Sequence, residues 1–227
     1  MLLEKVISIV AATAAVLQGS MDVALPDKNI EGLAFLVNRQ HSISQHYVPE
    51  TRKVNGPGMS QTMRDDAATA LEEMFAAAKD DGINLAIVSG YRSYSKQASI
   101  YSRKKGTVGE KEADRISARP GTSEHQLGLA MDIARKGSSQ LNTGFGKTKE
   151  GQWVTENAHR FGFIIRYLEG YEEVTGYMYE PWHVRYVGKE HALRLYESGL
   201  PMEWYMSDHK LQVYDYLIHN VTNEVLP

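Results

Sequence analysis

The chain has 227 residues, enough for one sizeable domain or one domain with appendages. Hydrophobic residues at 42% and charged residues at 23% are ordinary for a soluble globular protein, and a formal net charge of −3 offers no basic footprint for a nucleic-acid partner. Zero cysteines exclude disulfides, thiolate metal sites and a cysteine nucleophile, so any metal must be held by His, Asp or Glu.

From Val6 to Gly19 the chain carries no charge. That run is shorter than the ~20 residues of a transmembrane helix, and it suits a signal-peptide core or a short membrane anchor. Lys5 is opposed by Glu4 in front of it, so an amphipathic helix packed on the domain is the alternative, and Gly19 to Met21 also fits an artificial junction. The first two readings imply an extracytoplasmic protein, secreted or associated with a membrane through residues 6–19; the third is compatible with the cytoplasm.

Residues 22–59 hold turn signals at Pro26, Pro49 and Asn55 to Gly58, and read as an extended lead-in that wraps a domain. Helical spacing of Met63, Ala67, Leu71, Met74 and Ala78 predicts a helix from Ser60, its cap, to Asp80. A buried strand follows at Ile83 to Val88, then a helix beginning near Ser95. Residues 104–121 are charged and read as turn-rich. Leu129 to Ala134 is a second strand, Trp153 to Arg160 a helix, and Phe163 to Tyr167 a third strand. A fourth strand begins at Pro181, where a missing N–H is tolerable, and helices at 189–198 and 203–220 close the chain. The sum is one α+β domain over residues 60–227, with helices packed on a small, mostly antiparallel sheet.

Six of the eight histidines, His41, His46, His159, His191, His209 and His219, have ordinary surface or satisfied readings. His125 is different because of its neighbours. In the stretch from Thr122 to Asp132, Leu127, Leu129 and Met131 face one core, leaving Gly128, Ala130 and Asp132 on the other face. The small residues leave room there, and an unpaired carboxylate at Asp132 would be costly. His125 has the wrong parity to join Asp132 along a straight strand, so it belongs to a turn before it, with Gly128 bending the chain. From this stretch alone two readings stand equal: a metal site, or Asp132 bonded to backbone or paired with Arg135 or Arg92.

The stretch from Tyr179 to Tyr186 shifts the balance. His183, Arg185 and Val187 share one strand face, so His183 can be a third ligand, and Glu180 can reach the same space from behind Pro181 without being one. Two histidines, a carboxylate and an open fourth position are the arrangement of a catalytic zinc. A neighbouring glutamate is the general base that zinc-assisted hydrolysis needs. The HExxH pattern is absent. Arg92, just past the first strand in a polar stretch running to Gln97, can clamp a carboxylate or stabilise an oxyanion.

With Ser89 to Ser93, Ser123 to Asp132 and Glu180 to Gly188 in this order, the chain over about residues 30–205 resembles the zinc D-alanyl-D-alanine carboxypeptidases of the VanY type. The wider group includes D,D-dipeptidases and peptidoglycan endolysins. Ser123, His125, Gly128, Ala130 and Asp132 fill its S-x-H-x-x-G-x-A-x-D motif, and Glu180, Trp182 and His183 fill E-x-W-H. The resemblance implies a hedgehog/D,D-peptidase-like single domain, with Zn²⁺ held by His125, Asp132 and His183. It implies that Glu180 activates water, that Arg92 stabilises charge or grips substrate, and that Ser123, Gln97, Tyr91 and Trp182 contact the substrate. That substrate is a peptidoglycan stem peptide ending in D-Ala-D-Ala. A D,D-dipeptidase, an L,D-carboxypeptidase and an L-Ala-D-Glu endopeptidase use the same constellation. A non-catalytic wall-binding module would be expected to lack one of its members. Oligomeric state leaves no signal in the sequence.

Overall fold

A computed structural model describes residues 30–207. The expectations for residues 6–19, for His209 and His219, and for most of the last helix fall outside that range. Residues 202–207 are helical, and no helix among the described residues is long and apolar enough to cross a membrane.

A short hairpin, β1 (Arg52–Lys53) with β2 (Thr62–Met63), leads into α1 (Asp65–Asp80). The helix therefore starts later than Ser60, because Gln61 to Met63 are held extended: the Val54 N–H donates to the Gln61 carbonyl at 3.0 Å and Thr62 pairs with Lys53. Asp65 and Asp66 then occupy the first turn, where acidic side chains suit the positive end of the helix dipole. The inner face of α1 buries Ala67, Leu71, Met74 and Ala78 completely. Each of the larger two stabilises the fold by ~1.5–3 kcal/mol relative to exposure.

The main sheet has four antiparallel strands in the order β3 (Leu85–Ser89), β4 (Ala130–Arg135), β6 (His183–Tyr186) and β5 (Phe163–Ile165). Leu127, Leu129, Met131 and Ile133 point to one side of it and join α1, Phe163 and Val184 in the core. Val37, Ile43 and Val54, from before α1, belong to the same cluster. A second cluster gathers Ala34 with Ile164, Val187, Leu195 and Met202 around α6 (Lys189–Ser198).

Two further expectations are corrected. Residues 104–121 are mostly helical: α2 (Tyr94–Val108) runs to Gly109, whose φ of +82° breaks it, and α3 (Glu110–Ile116) follows. The charges there are solvated helix faces, paired as Lys105 with Glu110 and Arg115 with Glu112. The last strand begins at His183 rather than Pro181, because Pro181 and Trp182 form a turn closed by the His183 N–H on the Glu180 carbonyl at 3.1 Å. Proline at the second position of a turn supplies the φ that the turn needs. The remaining helices are α4 (Lys149–Asn157) and the one-turn α5 (Glu172–Thr175).

Candidate metal centre

Antiparallel pairing of β4 with β6 sets Asp132 directly opposite His183, and Ala130 opposite Arg185. A register shift after Ile87 sets Ser89 opposite Asp132 on the other side. Three polar side chains thus lie in a row across the middle of the sheet, on the face away from the core. His125 arrives from a single 3₁₀ turn, Glu124–Leu127, that ends at Gly128 with φ +71°. A side chain at 128 would be strained in that conformation and would meet Thr51 and Arg64 at 3.2–3.3 Å.

His125, Asp132 and His183 are all buried, and each offers a ligand atom within 4.8 Å of the others. Asp132 Oδ1 is 3.1 Å from His183 Nδ1, and Oδ2 is 3.4 Å from His125 Nε2. The two rings meet edge to face with centroids 4.9 Å apart. On His125 the Nδ1–H donates to the Gly90 carbonyl at 2.7 Å, which leaves Nε2 free as a ligand. On His183 the opposite nitrogen, Nδ1, faces the centre, and Nε2 points back at Glu124 Oε2, 3.5 Å away. Two imidazoles and one carboxylate, with no thiolate, suit zinc, and both rings have their second nitrogen directed at an acceptor.

Burial would by itself raise the Asp132 carboxyl, but His125, His183 and Arg92 hold it well below the usual carboxylate range. Burial, reinforced by Arg92, lowers His125 to about 4. On His183 burial acts the same way, but hydrogen bonds with Asp132 and Glu124 outweigh it and lift the ring to about 9. Glu180 is pushed up to about 7, chiefly by burial. A carboxyl group that exchanges its proton near neutrality is suited to base chemistry.

The three side chains form the floor of a cavity of about 300 Å³, lined also by Arg92, Ser123, Glu180 and Trp182. Tyr167 and Tyr177, with Arg103 and Lys104 of α2, also line it. Arg92 is held on three sides: Nη2 on Asp132 Oδ2 at 2.6 Å, Nε on Ser89 Oγ at 3.0 Å, and Nη1 on Gln97 Oε1 at 3.2 Å. The pairing of Asp132 with Arg92 and its approach to the histidines, weighed as alternatives on sequence, therefore occur together. Gln97 and Tyr91 do not line the cavity. Gln97 is buried behind Arg92 and donates to the Ala118 carbonyl at 2.7 Å, and the Tyr91 backbone N–H is tied to Thr62.

Sequence reasoning passed over the layer behind His183. Glu124, Arg166 and Arg185 are fully buried, and both guanidinium groups donate to Glu124 Oε1 at 2.7 Å. Arg166 also forms a two-pronged pair with Glu203, at 2.9 and 2.7 Å. The signal was Arg185 itself, a charge on the same strand face as His183, which needs a buried partner.

A sequence profile of the family described as "VanY: D-alanyl-D-alanine carboxypeptidase" matches residues 60–189, more than half of the chain. The chain belongs to the VanY family of D-alanyl-D-alanine carboxypeptidases. It is thus a carboxypeptidase-family enzyme, and its buried His125, Asp132 and His183 form a group that could hold a metal ion. Among curated relatives, the putative carboxypeptidase YodJ of Bacillus subtilis (strain 168) is 44% identical over 186 residues, covering 78% of this chain and 68% of its own. Among solved structures, the LdcB LD-carboxypeptidase is 42% identical with a TM-score of 0.75, covering 79% of this chain and 88% of its own. VanYB in complex with D-alanine-D-alanine is 37% identical, with a TM-score of 0.66, covering 76% of this chain and 96% of its own. A vancomycin-resistance VanY variant in complex with Zn(II) has the same identity and TM-score, covering 76% and 97%.

Proposed function

We propose that the chain is a zinc-dependent D,D-carboxypeptidase that removes the C-terminal D-Ala from peptidoglycan stem peptides ending in D-Ala-D-Ala, acting outside the cytoplasm. The observation that carries this reading is the buried His125–Asp132–His183 cluster opening into one cavity with Glu180 and Arg92. In it the three clustered residues hold the zinc. When bound, zinc supplies Lewis acidity and lowers the pKa of a water to about 7.

The chain's own groups supply the rest. Glu180 removes a proton from the attacking water as its oxygen bonds to the peptide carbonyl carbon. The same carboxyl returns that proton to the nitrogen of the departing D-Ala when the C–N bond breaks. Arg92, fixed by Ser89, Gln97 and Asp132, keeps its charge beside the reacting carbonyl, where a pre-oriented cation stabilises developing negative charge without reorganising. Ser123 and Trp182 line the cavity and contact the bound peptide.

A second reading, an L,D-carboxypeptidase that trims a tetrapeptide, is favoured by the likeness to LdcB. Zinc-loaded full chain incubated with pentapeptide, tetrapeptide and free D-Ala-D-Ala, with products identified by mass spectrometry, separates the readings. The pentapeptide is expected to give tetrapeptide and D-Ala. Trimming of the tetrapeptide alone would establish the L,D reading, cleavage of the free dipeptide alone a dipeptidase, and binding without release a wall-binding module.

A further inference from the structure

His183 and Glu124 make an unusual buried pair. His183 Nε2 and Glu124 Oε2 face each other at 3.5 Å, and neither has another hydrogen-bond partner among the described residues. The other carboxylate oxygen is fully engaged, since Oε1 takes a hydrogen bond from Arg166 Nε and another from Arg185 Nη1. Two guanidinium groups thus hold Oε1 and leave Oε2 without a hydrogen bond from either. That oxygen points at a single atom, the far nitrogen of a histidine whose near nitrogen faces Asp132.

We propose that Glu124 is a positioning residue that keeps the proton of His183 on Nε2, so that Nδ1 presents its lone pair to the metal. This rests on His183 being a zinc ligand. An acceptor behind a ligating imidazole orients the ring and raises its donor strength, and its loss typically weakens metal affinity ~10–100-fold. The arrangement is asymmetric across the centre. His125 is set by a backbone carbonyl, which no side-chain substitution removes, whereas His183 depends on one buried side chain and the two arginines that brace it.

The chemistry of Glu124→Gln makes the proposal sharp. The arginines hold the amide oxygen where Oε1 now sits, so the amide N–H₂ turns toward His183 Nε2 and two donors face each other. A zinc-bound His183 then has no acceptor for its Nε2–H. Full-length wild type, E124Q, E203Q and H183A are compared by zinc affinity, measured against a competing chelator. In parallel, ¹⁵N-histidine labelling of the zinc-loaded proteins reads the His183 Nε2–H. E124Q is expected to bind zinc ~10–100-fold more weakly. E203Q, which loosens the same ion network without touching His183, is expected to stay within about threefold and to keep a downfield, solvent-protected Nε2–H. Unchanged zinc affinity in E124Q, while H183A loses the metal, overturns the role of Glu124 alone. Retention of zinc by H183A overturns the ligand reading beneath it. If E124Q does not fold, the wild-type spectrum decides: a His183 proton on Nδ1, or an Nε2–H in free exchange with solvent, overturns the proposal.

Discussion

Glu180 and His183 are three residues apart, yet the proposed function gives them different work. Glu180 lies at the cavity with its carboxyl raised to about 7, whereas His183 is at the floor against Asp132. Glu180→Ala is therefore expected to leave the zinc content unchanged while lowering kcat by ~10²–10⁴-fold, the usual contribution of a general base. Elemental analysis beside D-Ala release checks both halves; a loss of metal from this variant would make Glu180 a ligand instead. Their place at the cavity was legible because motif spacing and strand parity act locally. Glu124, between Ser123 and His125, was in plain sight and given no role. Its partners Arg166 and Arg185 lie 42 and 61 positions away, and no local pattern encodes such a pairing.

Among the elements, β3 and the residue after it position two parts of the candidate site. The register shift after Ile87 sets Ser89 beside Asp132 and brings the Gly90 carbonyl under His125. A Cβ at Gly90 would lie 2.6 Å from the Thr62 carbonyl oxygen and 3.0 Å from Met131 Cε. Gly90→Ala is expected to destabilise the fold by ~1–3 kcal/mol, as overpacking does, and to weaken zinc binding by moving the carbonyl that sets His125. Urea unfolding and chelator competition on one preparation test the two together; normal values for both would show that the strand yields. The apolar runs of β3 and β4 announced themselves as strands, and the alternation in β4 gave its two faces. The pairing of Asp132 with His183 across 51 residues, and the shift in β3, depend on how strands slide past one another, which no single strand's sequence records. The turn at Pro181 was misread for a related reason: proline suits a strand start and a tight turn equally well.

At the scale of the whole molecule, the buried ion network makes the fold sensitive to acid. Burial would raise the Glu203 carboxyl, but Arg166 outweighs it and holds the folded value below its ordinary 4.5. A depressed carboxyl stabilises the folded state fully above the unfolded value, and that contribution is lost as pH falls through the folded one. With zinc removed from both proteins, wild type is expected to lose stability from about pH 4.5 downward, and E203Q to be less stable at neutral pH with a flatter acid limb. Parallel acid limbs in urea titrations would mean that the pair contributes nothing. Arg166 is fully buried, so Glu203→Ala, which leaves it unpaired on that side, is expected to cost more, about 3–5 kcal/mol.

Arg185 Nη2 donates to the carbonyls of Leu33 and Phe35, at 2.8 and 2.9 Å, and Asn38 reaches Glu203 at 3.2 Å. Those partners lie outside residues 60–189, the stretch that the family profile matches. Under the ligand assignment, occupancy of the centre and attachment of this flank become reciprocal: whatever free energy the docked segment lends to zinc, zinc lends back to the docked segment. The stretch that the family profile matches is thus shorter than the stretch tied to the candidate centre, and a metal held there would be coupled to segments of chain that do not touch it.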